Sequence, residues 1–236
     1  MSDEPRRAQL AESLATVCDR IATAGRAAGR SADEVTLTVV TKFFPADDVR
    51  LLAGLGVRHV GENRHQEALS KAADCADLDL TWHFIGGLQS NKAAAVAGYA
   101  SVVESVDRDK LVRPLARGAA QQGRVLDVLV QVDLDPGGAA PGRAGVAPAQ
   151  AATLAARVVE TAGLRLRGVM AVAPLGADPA QAFGRLAAVA AEVRAVEPSA
   201  TWVSAGMSGD LEAAVESGAT HVRIGSAVLG SRPRGR

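Results

Sequence analysis

The feature of this chain that most restricts its fold is a regular alternation of two sequence patterns. Short apolar runs rich in β-branched residues predict buried strands, and the longer stretches between them predict helices. We predict strands over residues 36–42, 57–61, 81–85, 100–106, 125–132, 166–172, 201–204 and 221–224. We predict helices over residues 6–28, 47–53, 62–76, 90–97, 108–121, 148–162, 179–196 and 208–217.

Alternation at this spacing indicates parallel strands joined by crossover helices, and eight units are the number that closes a barrel. We therefore predict an α/β fold, a (β/α)8 TIM-type barrel with one extra N-terminal helix. It should form a single domain over residues 1–236, with its core at about 8–230. A doubly wound open sheet is the alternative, but it would usually carry a glycine-rich dinucleotide motif after its first strand. That position holds the sequence KFFP, beginning at Lys42.

The charge balance restricts the partners of the protein. Lysine plus arginine and aspartate plus glutamate both number 26, so nothing indicates a nucleic-acid or membrane-surface partner. No apolar run is long enough to span a bilayer, and the first residues lack the apolar stretch of a signal peptide. Cys18 and Cys75 have no motif spacing, which is typical of reduced thiols. We expect a cytoplasmic protein, and we predict no metal site.

A lysine ends the first predicted strand. In an α/β barrel, the loops at the carboxyl ends of the strands build the functional face. Desolvating an ammonium group there costs several kcal/mol unless the group is paired or chemically altered. Lys42 is therefore either an ordinary lysine whose amine reaches solvent or a lysine that forms a Schiff base with an aldehyde.

Small residues follow the last two predicted strands. Ser208 and Gly209 open a helix after strand seven, and Gly225 and Ser226 follow strand eight, where barrels often place a phosphate site. Small residues let the backbone approach an anion, which free N–H groups can then bind. The alternative is an ordinary helix cap at Ser208 and a tight turn at Gly225.

An arginine interrupts the apolar eighth strand. Alternation places Arg223 on the opposite face from Val222 and Ile224, toward the barrel interior, where it must meet an acceptor. The acceptor could belong to a ligand. The alternative is a salt bridge to an interior carboxylate such as Glu62 or Glu104.

Together, these three features match the three reactive groups of pyridoxal 5′-phosphate (PLP). Lys42 would take the aldehyde, Ser208 with Gly225 and Ser226 would take the phosphate, and Arg223 would face the pyridine nitrogen. Because arginine stays protonated, it can only donate, so the pyridine nitrogen must stay unprotonated. A neutral pyridine is a weak electron sink, and the site is therefore poorly suited to a long-lived carbanion.

Several sequence blocks resemble the pyridoxal phosphate homeostasis proteins, also called the YggS/PROSC family. This family is related to the barrel half of bacterial alanine racemase. The resemblance covers roughly residues 8–230. The blocks are VTK at 40–42, VGENRHQE at 60–67, WHFIGGLQSNK at 82–92, LRGVM at 166–170, SAGMSGDLEAA at 204–214 and HVRIGSA at 221–227.

The resemblance implies a role for eight residues. Lys42 would bond the cofactor, Arg223 would face its pyridine nitrogen, and the remaining positions would surround it. The phosphate positions are Ser208, Gly225 and Ser226 with Met207 beside them, and Asn63 and His83 line the cofactor pocket. The block at 89–92 is shared with the family, but its chemical duty does not follow from the residues.

The chain also departs from the family pattern. Asp133 stands where the family usually has asparagine, and the glutamate of the loop over residues 133–145 is missing. Arg143 could replace the basic residue of that loop. Ser226 stands where threonine is frequent, and the hydroxyl is kept.

The same resemblance separates a carrier from an enzyme. Alanine racemases need a second base, a tyrosine supplied by a β-rich domain of the partner subunit, and two-sided proton transfer is incomplete without it. This chain's only tyrosine, Tyr99, is expected away from the strand-end face. The leading hypothesis is a monomeric protein that holds PLP as a lysine aldimine, serves intracellular vitamin B6 homeostasis and delivers PLP to apoenzymes. The alternatives are a small PLP-dependent amino-acid racemase that uses His83 or a water as second base, and a Schiff-base aldolase without cofactor.

Overall fold

Eight parallel strands close into one barrel in chain order, and the first strand pairs with the last. This computed structural model describes residues 4–135 and 144–231. The closed barrel confirms the predicted fold class. The strands are β1 Thr36–Val40, β2 His59–Glu62, β3 Thr81–Phe84, β4 Val102–Val106, β5 Leu126–Gln131, β6 Leu164–Met170, β7 Trp202–Ser204 and β8 His221–Ile224.

Helices connect the strands and cover the outside of the barrel. They are α1 Glu4–Ala27, α2 Ala46–Gly54, α3 His65–Asp74, α4 Ala93–Val96, α5 Val112–Gln121, α6 Ala151–Val159, α7 Pro179–Val196, α8 Leu211–Glu216 and α9 Ser226–Leu229. Single 3-10 turns cover Ala32–Glu34, Asp109–Leu111 and Pro148–Gln150. Within residues 4–135 and 144–231, no helix combines the length and apolarity needed to cross a membrane.

The boundaries of several elements differ from the predictions by two to four residues. The first strand was predicted to reach residue 42 but ends at Val40, because the chain turns sharply at Phe43, whose φ is +72°. The helix predicted from residue 208 begins at Leu211. The single-turn helix α9 was not predicted, since four residues are too few to show a helical period.

The N-terminal helix α1 braces the loop that follows β7. Its buried stripe includes Leu10, Val17 and Ile21, as its apolar spacing predicts. The guanidinium of Arg20 donates to both carboxylate oxygens of Glu212, at 2.7 and 2.9 Å, and to the carbonyl oxygen of Ser208 at 3.1 Å. The extra helix therefore fixes the backbone at a predicted site residue.

The two faces of the strands differ in polarity. Side chains such as Val39 and Val128 point outward and are fully buried against the helices. The interior contains polar groups, because the hydroxyl of Ser204 on β7 bonds to the carboxylate of Glu104 on β4, across the barrel, at 2.6 Å. Barrel interiors are ordinarily filled by bulky branched side chains, so this polar interior needs a physical explanation.

The loop predicted over residues 133–145 lies partly outside the described residues. Its described ends are held together by a bridge between Val132 and Val146, and the N–H of Asp133 donates to the carbonyl of Val146 at 2.9 Å. Arg143, expected to supply a basic group, lies outside the described residues.

Candidate functional site

A cavity of about 390 Å³ opens among the loops at the carboxyl ends of the strands. Seven of the eight predicted site residues line it, and His83 does not. Apolar residues of β1, β3 and β6 or of the loops after them complete the wall. The lining residues are Val40, Lys42, Phe43, Phe44, Asn63, Ile85, Gln131, Met170, Val172, Met207, Ser208, Gly209, Arg223, Gly225, Ser226 and Gly230.

Lys42 lies two residues beyond the end of β1, in a tightly fixed turn. The following residue, Phe43, has φ of +72°, a left-handed conformation that is uncommon for a residue other than glycine. The N–H of Phe43 donates to Oε1 of Glu67 at 2.6 Å, and Nζ of Lys42 lies 6.0 Å from the centroid of the Phe43 ring. This turn places the half-buried side chain of Lys42 in the wall of the cavity.

A second lysine, which the sequence analysis missed, is hydrogen-bonded to the backbone of this turn. Lys71 is 5% exposed, and its amine donates to the carbonyl oxygen of Thr41 at 2.7 Å and to one oxygen each of Glu62 and Glu67 at 2.6 Å. Burial raises the pKa of Glu62, and the hydrogen bond and charge of Lys71 oppose that rise. The spacing of Glu67 and Lys71, four residues apart on a helix, is the sequence signal that could have revealed the network.

Two serine hydroxyls also converge in the wall of the cavity. Oγ of Ser208 lies 3.3 Å from Oγ of Ser226 and accepts a hydrogen bond from the N–H of Ala227 at 3.3 Å. Helix α9 begins at Ser226, directly after Gly225. The loops after β7 and β8 therefore meet at the point where the sequence analysis placed a phosphate.

The alternative assignment of Ser208 as a helix cap is wrong. Helix α8 begins at Leu211, and its N-cap residue is Asp210. A carboxylate oxygen of Asp210 accepts from the N–H of Met207 at 2.6 Å, which shapes the turn before the helix. The hydroxyl of Ser208 is left to face α9, and Met207 stands at the rim with 40% of its surface exposed.

Arg223 both lines the cavity and makes the interior contact considered as its alternative role. Its guanidinium donates to Oγ of Ser204 at 2.6 Å and to the carbonyl of Ala171 at 2.8 Å, and a carboxylate oxygen of Glu104 lies 3.8 Å away. Burial lowers the pKa of Arg223, and the charge of Glu104 opposes this shift. The interior partner is Glu104, whereas Glu62 pairs with Lys71 outside the strands.

His83 occupies the barrel interior instead of the cavity wall. It is 1% exposed, its Nδ1 lies 2.7 Å from a carboxylate oxygen of Glu104, and its Nε2 lies 2.9 Å from Nδ1 of His59. The resemblance implies that His83 lines the cofactor pocket, whereas the structure places it deeper, beside Glu104 and outside the residues that line the cavity. In the structure it contacts Glu104, a neighbour of Arg223.

Asn63 separates the cavity from a second one of about 580 Å³. Its Oδ1 is buried without a hydrogen-bond partner among the described residues. The second cavity is lined by Gln89 and Lys92 of the block at 89–92. Since Lys92 does not line the central cavity, the structure brings Lys42, and not Lys92, together with Arg223 and the two serines.

Tyr99 also lies outside the central cavity. Its ring stacks on His65, and its hydroxyl is 3.4 Å from Nδ1 of that histidine. Burial raises the pKa of Tyr99. Within the two described ranges, no three histidine, cysteine or acidic side chains are arranged to hold a metal ion.

Comparison with known proteins identifies the class of this fold. A family model described as alanine racemase, N-terminal domain, matches residues 18–233. The alanine racemase of Corynebacterium glutamicum shares the fold with a TM-score of 0.65 at 14% identity, over 92% of this chain and 61% of that one. The fold and the match define a barrel of the alanine racemase N-terminal class.

Relatives with higher sequence identity show to which family within this class the chain belongs. The pyridoxal phosphate homeostasis protein of Mycobacterium tuberculosis is 42% identical over 96% of this chain and 94% of its own length. That of Pseudomonas aeruginosa is 41% identical over 96% of this chain and 97% of its own. PipY of Synechococcus elongatus, solved with PLP bound, has a TM-score of 0.80 at 36% identity, over 94% of this chain and all of PipY. The chain belongs to the family of pyridoxal phosphate homeostasis proteins.

Proposed function

We propose that this protein binds PLP in the central cavity, holds it through Lys42 and serves the intracellular homeostasis of the cofactor. The observation that carries the proposal is the convergence of Lys42, Ser208, Arg223 and Ser226 on one cavity from β1, β7 and β8. Relatives named pyridoxal phosphate homeostasis protein and the PLP-bound PipY support the assignment.

The volume of the cavity and the chemistry of its wall are compatible with the cofactor. Its volume of about 390 Å³ lies within the range of small-molecule sites, and Ile85, Met170 and Val172 offer apolar contacts to an aromatic ring. The hydroxyls of Ser208 and Ser226 can donate to phosphate oxygens. The orphan Oδ1 of Asn63 can accept from a ligand donor.

Lys42 would anchor the cofactor by a reversible condensation. When bound, PLP supplies an aldehyde, and its carbon can take the Lys42 amine with loss of one water to give an imine. Arg223 would donate to the pyridine nitrogen and, because it stays protonated, keep that nitrogen unprotonated. The ring would then be a weak electron sink, which favours holding the cofactor over stabilising a carbanion.

The chemistry of the cavity wall supports a carrier over a racemase. Among the described residues that line the cavity, none is a histidine, tyrosine, cysteine or carboxylic acid. His83, the second base considered for a racemase, lies in the barrel interior against Glu104. Among the described residues that line the cavity, Lys42 would therefore have no partner base for the opposite face of the ring.

An absorbance spectrum of the purified protein with added PLP, before and after borohydride, tests the proposal. We expect a visible band that disappears on reduction and an adduct that peptide mass mapping places on Lys42. Lys42→Ala should lose the adduct and keep weaker, phosphate-anchored binding, whereas the matched control Lys92→Ala should behave as the wild type. A reducible adduct that persists in Lys42→Ala contradicts the assignment, and a protein that takes up no PLP overturns it.

Two assays, racemisation of an amino acid and transfer of PLP to an apoenzyme, distinguish a carrier from an enzyme. Incubation of the loaded protein with L-alanine, followed by chiral analysis, should give no racemisation above that of free PLP; sustained turnover would contradict the carrier role. We further propose that the protein is cytoplasmic and monomeric and passes PLP to apoenzymes. Sedimentation checks the monomer, and reactivation of an apoenzyme by the loaded protein in the presence of a PLP scavenger checks the transfer.

A further inference from the structure

A connected chain of polar side chains crosses the barrel interior and ends at the cavity. It runs from His59 through His83, Glu104 and Ser204 to Arg223. The last four are 1%, 1%, 0% and 3% exposed, so they are withdrawn from water. Burying such groups is unfavourable unless each is satisfied, and the cofactor-binding account above uses only Arg223.

The hydrogen bonds that connect these five side chains are short, and each of the five residues lies on a different strand. Nδ1 of His59 lies 2.9 Å from Nε2 of His83, and Nδ1 of His83 lies 2.7 Å from one oxygen of Glu104. The other oxygen of Glu104 accepts from the hydroxyl of Ser204 at 2.6 Å, and the oxygen of that hydroxyl accepts from the Arg223 guanidinium at 2.6 Å. Glu104 is therefore held from both sides, with Arg223 at the cavity end.

Glu104 and Arg223 carry opposite charges inside the barrel. Burial alone would raise the pKa of Glu104, but the hydrogen bond from His83 and the charges of His83 and Arg223 lower it to about 2, so the carboxylate is ionised at neutral pH. That carboxylate lies 3.8 Å from the buried guanidinium of Arg223. Without it, the buried Arg223 cation would lose its larger counter-charge and keep the weaker one of Asp210, which is unfavourable.

We propose that Glu104 and Ser204 are positioning residues of the PLP site, which aim the Arg223 guanidinium at the ring nitrogen and balance its charge from inside the barrel. The inference rests on the proposed function. Ser204 orients the Arg223 guanidinium, because it bonds to it directly. Glu104 holds Ser204 in place and also supplies the negative charge. The two residues should therefore differ in what their loss does.

Several other charged or titratable groups surround this pair and share its field. Burial lowers the pKa of His59 to about 4 and of His221 to about 3, so both are neutral at pH 7. His83 on β3 acts on Glu104 through its charge, and Asp210 before α8 acts on Arg223. The charge of Glu104 in turn reaches His59 on β2 and His221 on β8, Arg167 on β6 acts on His221, and Lys42 lines the same cavity as Arg223. A variant of Glu104 changes one charge in this set and leaves the others in place.

The test compares three variants by PLP titration and by the pH midpoint of the visible absorbance of the bound cofactor. Ser204→Ala should weaken PLP binding about tenfold, the value of one hydrogen bond to a charged group, and leave the midpoint unchanged. Glu104→Gln should weaken binding at least as much and also move the midpoint to lower pH, because loss of a negative charge disfavours a nearby cation. Ser105→Ala removes a buried hydroxyl of β4 that has no hydrogen-bond partner among the described residues, and it should change neither the affinity nor the midpoint.

A merely structural role would lower the melting temperature of the variants without moving the midpoint. An unchanged midpoint in folded Glu104→Gln, or unchanged affinity in Ser204→Ala, overturns the inference while wild-type binding keeps the proposed function intact. Wild-type protein that takes up no PLP overturns both. If Glu104→Gln does not fold, the affinity of Ser204→Ala decides: a tenfold loss supports the inference and wild-type affinity overturns it.

Discussion

Replacement of Lys71 by methionine should destabilise the protein far more than replacement of an exposed lysine. The Lys71 amine makes three hydrogen bonds and forms a pair with Glu62 in which the two side chains are 7% and 1% exposed. Removing one member of a buried pair leaves the other charge unbalanced and costs about 3–5 kcal/mol. For a chain of this size, that loss corresponds to a melting temperature lower by roughly 6–20 °C.

Urea unfolding followed by tryptophan fluorescence measures this free energy. Lys110→Met is the matched control, because Lys110 is exposed, and it should change the free energy of unfolding by less than about 0.5 kcal/mol. The double variant Lys71→Met with Glu62→Met should recover most of the loss, since it removes the unbalanced carboxylate. Equal effects of Lys71→Met and Lys110→Met would refute this account of the network.

The pH dependence of the Lys71→Met variant provides a second check. Burial already raises the pKa of Glu62, and without Lys71 nothing of opposite charge opposes that rise. The folded variant then binds a proton more tightly than the unfolded chain, so its stability increases as the pH falls. The deficit of Lys71→Met relative to wild type should therefore shrink as the pH falls from 8 toward the ordinary pKa of a glutamate, and a deficit that stays constant over this range would contradict the assignment of the unbalanced charge to Glu62.

Three further predictions concern other parts of the barrel. Burial lowers the pKa of His221 to about 3 and that of His59 to about 4, so unfolding takes up protons below pH 6.5. In urea unfolding the wild type should lose about 4 kcal/mol between pH 7.5 and pH 5, about 2 kcal/mol from each histidine, and His221→Phe should lose about half as much. Gly168→Ala should prevent folding or lower the melting temperature by more than 10 °C, because the φ of Gly168 is +150° and a Cβ would overlap the carbonyl of Trp202. The control Gly184→Ala, at an exposed position of α7, should be neutral or slightly stabilising. Ser208→Ala should weaken PLP binding about tenfold in titration while the borohydride-reducible adduct still forms; wild-type affinity would show that its hydroxyl does not contact the phosphate.

Local patterns in the chain are enough to predict the barrel and most of the residues at the carboxyl ends of its strands. Strand and helix periods identify eight units, and in a closed parallel barrel every strand delivers its carboxyl end to the same face. This is why Lys42, Ser208, Gly225 and Ser226, predicted from distant parts of the chain, line one cavity. The inward direction of Arg223 followed from simple alternation along β8.

The side chains that support that face could not be predicted from local patterns, because they depend on contacts between distant parts of the folded chain. The family resemblance implies that His83 lines the cofactor pocket, but His83 lies against Glu104 in the barrel interior. Alternation tells which side of a strand a residue faces but not its depth. The bond between Glu104 and Ser204 joins residues 100 positions apart, and it depends on the register of strands that are not neighbours. Lys71 likewise becomes a buried support of the Lys42 turn only because α3 packs over the ends of β1 and β2. Local periods are properties of the chain, whereas the balance of buried charges depends on which distant groups the closed barrel brings together.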